Sequence, residues 1–171
     1  FGYYFVSITT GVILTVLVIS WLSSPIIAYR LSLPYNEQTH KIPSTDRIEL
    51  RKWSRQIWAF FDVFVDKENN YLPPDNIQIE PYKGLAHRSS PTNIGLALLA
   101  NLVAHDLGYI SQKVMIKKTR NTLNTISKLP KWNGHIYNWY DTKNLEPLHP
   151  IYISTVDSGN LAGYLIVLKN G

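Results

Sequence analysis

The first 29 residues contain no charged side chain, and this run constrains the fold more than any other feature of the sequence. As a helix rising 1.5 Å per residue it would reach about 40 Å, more than the hydrocarbon core of about 30 Å. Aromatic residues fall towards its ends, where amphipathic rings favour the membrane interface. We therefore predict a transmembrane helix over residues 1–30 and a linker over residues 31–45. A buried core helix is the alternative, and a secretory signal would need a basic start and a small-residue cleavage site.

The charge distribution indicates orientation and excludes some partners. Arg30 and a later basic helix follow the apolar run, which predicts that the C-terminal side is cytoplasmic. The net charge is only +5, and the basic cluster at residues 113–120 suits the wet face of a helix better than a nucleic-acid surface. Without cysteine no disulfide can form. His87 and His105 lack a third ligand at metal-binding spacing, so we expect neither metal nor cofactor.

Beyond the linker, periodicity predicts an all-α domain. Asp46 can cap a helix running to residue 65, with an apolar stripe of Trp53, Ile57, Phe60, Phe61 and Phe64 that we interpret as core. Residues 66–90 are read as a long irregular segment. The helix over residues 91–106 starts at Ser90-Pro91, a capping residue followed by proline, is apolar nearly all round and is closed by Gly108.

Two more helices complete the pattern. One covers residues 111–128, with Met115, Ile116, Leu123 and Ile126 predicted to face inward. The last is capped by Ser154 or Thr155 and runs towards residue 168. An apolar helix paired with an amphipathic one suits the inner and outer layers of an (α/α) barrel, although any layered helical domain would give the same pattern.

Two polar-aromatic stretches are candidate ligand sites. Sugars present apolar ring faces and a rim of hydroxyls, which aromatic platforms beside short polar side chains can bind. The runs NWYD and STVDSGN supply that mixture, and their candidate binding residues are Asn138, Trp139, Tyr140, Asp141, Asp157, Ser158 and Asn160. The structural alternative is that Asp157 caps a helix and Trp139 is core.

Arg88 is the remaining candidate. It precedes the helix at Ser90-Pro91, where a guanidinium fork and free helix amides could together bind hydroxyl-rich or anionic groups. The alternative is an arginine that ties its loop to a carbonyl group. Two prolines at residues 145–150 would fold the NWYD and STVDSGN runs together. We therefore expect Arg88, Trp139, Asp141 and Asp157 to line one cleft.

Four motifs carry a family resemblance: LPPDN, AHRSSPTNIGLALL, GHIYNWYDTKNLEPL and ISTVDSGNLAG. In this order and spacing they closely resemble the middle region of bacterial cyclic β-1,2-glucan synthases, with small departures at Ser89 and Ile136, where Thr and Phe are expected. The resemblance implies a fragment with the last transmembrane helix and, over residues 46–171, the N-terminal part of an incomplete glycoamylase-like (α/α) barrel. It also implies a location at the bacterial inner membrane with the soluble part cytoplasmic.

The resemblance implies a transglycosylase domain that closes a linear glucan into a ring. Its partners would be a β-1,2-glucan chain, the lipid bilayer and the other domains of the same polypeptide. In related barrels the catalytic glutamates lie further along than this chain reaches. We therefore predict no catalytic residue here and no activity from the chain alone. The alternatives are a non-catalytic membrane-tethered carbohydrate-binding module and a structural adaptor that packs on other membrane helices.

Overall fold

The computed structural model describes residues 2–33 and 42–171, with side chains from residue 8 onward. The chain divides into two compact units, Phe1–Ile42 and Pro43–Gly171. The predicted linker lies largely outside the described residues. The described part of the chain is mainly helical, as the sequence predicts, and it also contains three short strand pairs.

The first unit contains one long helix, α1 (Gly2–Ser32). Its segment Ile8–Ser32 has the length and apolar composition to cross a membrane, and no part of that apolar window is buried. Pro25 lies inside the helix and cannot donate to the carbonyl of Trp21. The Ser24 hydroxyl donates to that carbonyl instead, at 2.8 Å. Three further hydroxyls donate to carbonyls four residues back, on Thr15, Ser20 and Ser32. These four hydroxyl groups are thus satisfied within α1, as an apolar solvent requires.

The second unit contains four helices: α2 (Ser44–Phe64), α3 (Pro91–Asp106), α4 (Gln112–Lys128) and α5 (Thr155–Asn170). α3 is central and contacts the other three, most extensively α5. Ser90, Ser111 and Ser154 cap α3, α4 and α5, each accepting a hydrogen bond from a backbone amide three residues on. The core is formed by Leu72, Ile94, Leu98, Leu129, Tyr140 and Leu161.

α2 differs from the prediction in its start and in its buried face. It begins at Ser44 after Pro43, so Asp46 lies in the first turn instead of capping it. Trp53 and Ile57 are exposed, and the side chain that α2 buries is Trp58. The apolar stripe therefore borders the core without being its centre.

α4 packs through hydroxyl groups, which the sequence analysis did not predict. Its buried residues are Thr122 and Thr125, whereas Ile116 and Leu123 are largely exposed. Thr122 Oγ1 donates to the Tyr71 carbonyl at 2.9 Å and Thr125 Oγ1 to the Asn70 carbonyl at 2.6 Å. Asn70 and Tyr71 both have positive φ, a conformation that L-residues rarely adopt. α4 therefore fixes a strained turn.

Three strand pairs give regular structure to segments between the helices, including residues 66–90, which the sequence predicts to be irregular. They are β1 (Ile77–Gln78) with β2 (Gly84–Leu85), β3 (Arg88–Ser89) with β6 (Tyr140–Asp141), and β4 (Lys131–Trp132) with β5 (His135–Ile136), all antiparallel. Two-residue strands carry too little alternation to be recognised in a sequence.

Candidate functional site

The site is organised by the pairing of β3 with β6. Arg88 pairs with Asp141 and Ser89 with Tyr140, which joins the loop before α3 to the loop after α4. Ser90, which directly follows β3, is also extended, because a residue before proline is driven out of the helical region. Two of the predicted motifs, AHRSSP and NWYD, are thereby placed side by side.

The Arg88 guanidinium is held by an acid and an indole ring. Its Nη2 and Nε donate to Asp75 Oδ2 at 2.8 and 3.0 Å, while Asn93 Nδ2 donates to Asp75 Oδ1 at 3.2 Å. The guanidinium carbon lies over the Trp139 ring, 4.9 Å from its centroid. Arg88 thus has a fixed direction although half of its side chain is exposed. The tie to Asp75, in the LPPDN motif, was not predicted.

A polar cleft of about 480 Å³ opens beside Arg88 and Asp141. Asp141 Oδ1 accepts from the backbone amides of Lys143 at 2.7 Å and Asn144 at 3.2 Å, which orients its carboxylate. The rest of the cleft comes from the β1–β2 hairpin and its flanks: Asn76, Gln78, Lys83, Gly84, Leu85, Ala86 and His87. Sequence reasoning missed this wall, because nothing before folding shows that the hairpin faces NWYD.

A second network holds Trp139 from its other side. The Asn138 amide is satisfied when its oxygen accepts from Trp139 Nε1 at 2.8 Å and Tyr152 Oη at 2.6 Å, and its nitrogen donates to Asp157 Oδ2 at 2.9 Å. Asn138 is almost fully buried. It joins the NWYD loop to the first turn of α5.

The Asp157 carboxylate accepts hydrogen bonds from the starts of two helices. Burial raises the pKa of Asp157, but hydrogen bonds from Ser154, Thr92 and Ser90 outweigh it, and the net pKa lies below the ordinary value. Ser154 Oγ lies 2.6 Å from Asp157 Oδ2. Thr92 and Ser90 lie at the N-terminus of α3, so one carboxylate joins the positive ends of two helices.

Three other residues predicted to bind a ligand, Tyr140, Ser158 and Asn160, do not line the cleft. Tyr140 is fully buried in the core, so its predicted role in ligand contact is corrected. Its hydroxyl donates to the Pro130 carbonyl and accepts from the Tyr137 amide, both at 2.7 Å, and burial raises the pKa of Tyr140 to about 12. Asn160 donates to Thr92 Oγ1 at 3.2 Å, and the buried Ser158 Oγ has no hydrogen-bond partner in the described part of the chain.

The predicted residues therefore come together as two connected groups. Arg88 and Asp141 line the cleft, and Trp139 stacks on Arg88 behind it. Asn138 links Trp139 to Asp157. Among residues 8–33 and 42–171, no group of three or more His, Asp or Glu side chains is placed to hold a metal ion.

Comparison with known proteins supports the resemblance. No known protein-family profile matches the chain. It is 44% identical over 151 residues to the cyclic β-(1,2)-glucan synthase NdvB of Rhizobium meliloti strain 1021, an alignment that covers 88% of this chain and 5% of that protein. The chain thus spans a small part of its curated relative, and its similarity to cyclic β-1,2-glucan synthases is confirmed.

Solved structures establish the fold. A provisionally assigned glucoamylase from Bacteroides fragilis NCTC 9343 matches with a TM-score of 0.62 at 17% identity, over 76% of this chain and 32% of that one. A β-1,2-glucanase from Parabacteroides distasonis matches with 0.58 at 17% identity, over 72% and 18%. An endo-β-1,2-glucanase from Chitinophaga pinensis matches with 0.55 at 14% identity, over 68% and 30%. At these identities the likeness shows the fold, and the prediction of part of a glycoamylase-like helical domain is confirmed.

Proposed function

We propose that this chain, related over most of its length to a segment of a cyclic β-1,2-glucan synthase, supplies a glucan-binding cleft to the domain that closes the glucan ring. The observation that carries the proposal is the 44% identity over 151 residues. The names of two structural neighbours, both β-1,2-glucanases, point to the same class of glycan. The cleft beside Arg88 and Asp141 provides the location.

The chemistry of the cleft suits a neutral, hydroxyl-rich chain. Arg88 and Lys83 donate hydrogen bonds, the Asp141 carboxylate accepts them, and the amides of Asn76 and Gln78 do both. A sugar hydroxyl also donates and accepts, so it can satisfy both kinds of group. An anionic ligand would satisfy Arg88 and Lys83 but would be repelled by Asp141. Asp157 and Asn138 would act by holding the loops.

The membrane placement forms part of the proposal. α1 would anchor the domain in the bacterial inner membrane with Pro43–Gly171 on the cytoplasmic side, beside other domains of the same polypeptide. The motive is an apolar helix with hydroxyl groups that donate to its own backbone and with Arg30 in its last turn. Release of the intact chain from membranes by alkaline carbonate would contradict it.

The chain alone should carry out no glycosyl transfer. Retaining transfer uses two carboxyl groups about 5 Å apart. Asp141 is the acid that lines the cleft, and we assign it no catalytic partner. Incubation of the chain, in detergent micelles, with linear β-1,2-glucan should leave the glucan unchanged. Any cyclised or shortened product would show that this segment holds catalytic groups.

The decisive experiment places Asp141→Asn and Arg88→Lys in the full-length synthase and measures cyclic glucan per amount of protein. We expect both to lower cyclic product while linear glucan continues to form. Normal cyclisation together with normal glucan binding, at normal protein levels, would refute the assignment of the cleft. Reduced glucan binding with unchanged cyclisation would instead favour the non-catalytic binding module.

A further inference from the structure

We infer that His87 recognises a ligand hydroxyl in the cleft, because Asn69 holds its imidazole with the proton on Nδ1 and leaves Nε2 as a hydrogen-bond acceptor. His87 lines the cleft and is exposed on that side. The inference rests on the proposed function for the identity of the ligand. The protonation pattern follows from the hydrogen bonds alone.

The Asn69 side chain has one possible orientation. Its Nδ2 donates to the Phe64 carbonyl and to Asp66 Oδ1, both at 3.1 Å. A backbone carbonyl has no proton to offer, so the amide nitrogen must be the atom that faces Phe64. Asn69 Oδ1 is thereby directed to Thr142 Oγ1 at 2.9 Å and to His87 Nδ1 at 2.9 Å.

An amide oxygen only accepts hydrogen bonds, so His87 Nδ1 must carry the proton in that pair. Asn69 is 2% exposed, which keeps water from competing for its oxygen. The backbone of the histidine is fixed as well, since the His87 carbonyl accepts from the Thr142 amide at 3.0 Å. His87 is therefore held at its backbone carbonyl and at Nδ1 of its ring.

A neutral imidazole with Nδ1 protonated has a lone pair on Nε2. Within residues 8–33 and 42–171, no protein group donates a hydrogen bond to this nitrogen. The neighbouring Arg88 directs Nε and Nη2 to Asp75 and makes no hydrogen bond to His87, and Asp141 can only accept. A hydroxyl of a bound ligand is the kind of donor that completes the arrangement.

This acceptor refines the choice of ligand. A phosphate group carries about one and a half to two negative charges at neutral pH, and it offers mainly acceptor oxygens to the Nε2 lone pair and the Asp141 carboxylate, so Asp141 would repel it. A neutral polyhydroxyl chain can donate to both atoms and accept from Arg88. His87 thus adds an acceptor that suits the hydroxyl groups of a glycan, and Asp141 adds the discrimination against anionic ligands.

The protonation pattern can be measured directly. The chain contains five histidines, which can be labelled with ¹⁵N in the 171-residue chain in detergent micelles and resolved by NMR. His87→Gln identifies the signals of His87. At about pH 8, where a free imidazole is neutral, we expect a protonated Nδ1 and an unprotonated Nε2. A proton on Nε2 alone would overturn the inference.

A binding experiment then adds linear β-1,2-gluco-oligosaccharide to the labelled chain, with inorganic phosphate as the comparison ligand. The sugar should shift the His87 Nε2 signal, and phosphate should not. His87→Phe should weaken sugar binding about three- to tenfold, the effect of one neutral hydrogen bond. His87→Gln, which can still place an acceptor near the Nε2 position, should weaken it less.

His135→Phe is the matched control, since His135 lies on the β4–β5 hairpin and does not line the cleft. It should bind as the unsubstituted chain does. If the sugar binds and His87→Phe binds equally well, this inference fails and the proposed function stands. If the unsubstituted chain does not bind the sugar, both fail.

Discussion

Ser154 and Asp157 cap each other at the start of α5. Ser154 Oγ accepts from the Asp157 amide at 3.1 Å and donates to Asp157 Oδ2 at 2.6 Å. The same carboxylate oxygen accepts from Asn138, so the cap and the NWYD loop depend on one side chain. Asp157, one of the candidate binding residues of the STVDSGN run, is thus hydrogen-bonded within the protein to both the cap and the NWYD loop.

Asp157→Asn should therefore destabilise the domain. We expect a loss of about 1–2 kcal/mol at neutral pH, because charge-assisted hydrogen bonds are replaced by weaker ones. The pKa of Asp157 is lower in the folded state, so its contribution is present above the unfolded-state pKa of about 3.9 and is lost as pH falls through the folded-state pKa. Denaturant unfolding of both chains across pH 3 to 7 measures this. The gap between them should narrow at the acid end, while Glu146→Gln, at an exposed position, should change little.

Arg88→Lys should weaken glucan binding with little loss of stability. Lysine keeps the charge but cannot make the two hydrogen bonds from Nε and Nη2 to Asp75 or lay a planar group on Trp139. We expect about a tenfold rise in Kd by calorimetry. Arg55, on α2, lies over the Tyr109 ring and away from the cleft. Arg55→Lys is therefore the matched control and should bind glucan normally. Equal losses in the two variants would contradict a specific role for Arg88.

Asp141→Asn should separate binding from folding. An asparagine Oδ1 can still accept from the Lys143 and Asn144 amides, so the turn should persist. The charge in the cleft is lost, and with it roughly 1.5–3 kcal/mol for a hydrogen bond from a sugar hydroxyl. We expect an unchanged melting temperature with weaker glucan binding. A large fall in melting temperature would show that the carboxylate is mainly structural.

The threonines of α4 offer a comparison within one helix. Thr122→Val leaves the Tyr71 carbonyl without its partner and should cost about 1–3 kcal/mol. Thr119 Oγ1 is buried with no partner in the described part of the chain, so Thr119→Val should be neutral or stabilising. Chemical denaturation of the two variants measures the difference. Similar effects of the two variants would mean that the hydrogen bond from Thr122 to the Tyr71 carbonyl does not fix the turn.

Two glycines test the contact between α3 and α5. A Cβ on Gly95 would overlap the Tyr164 ring, so Gly95→Ala should destabilise the domain by about 1–3 kcal/mol. Gly163, on α5, has open space around it, and Gly163→Ala should stabilise the helix by about 0.5–1 kcal/mol. Opposite shifts in melting temperature are expected. A neutral Gly95→Ala would mean that α5 can move away from α3 at little cost.

The sequence predicted features set by neighbouring residues better than features set by residues far apart in the chain. Ser90-Pro91 marked the start of α3 correctly, because a cap and an N1 proline act within a few residues. The sequence did not predict that Trp58 is buried and Trp53 exposed, because this depends on where α3 lies against α2. Likewise, NWYD was recognised as a candidate site, but whether each side chain reaches solvent was set by long-range packing. Tyr140, beside the partly exposed Asp141, is fully buried.

The β3–β6 pairing also fixes the order of events during synthesis. Arg88 and Ser89 leave the ribosome about fifty residues before Tyr140 and Asp141, the strand that they pair with. Nascent chains fold from the N-terminus as residues emerge, and contacts distant in sequence form late. While α3 and α4 emerge, the AHRSSP loop therefore has no strand partner. The cleft can take shape only once the NWYD loop is outside the exit tunnel, which makes translation of that loop the step that completes the binding surface.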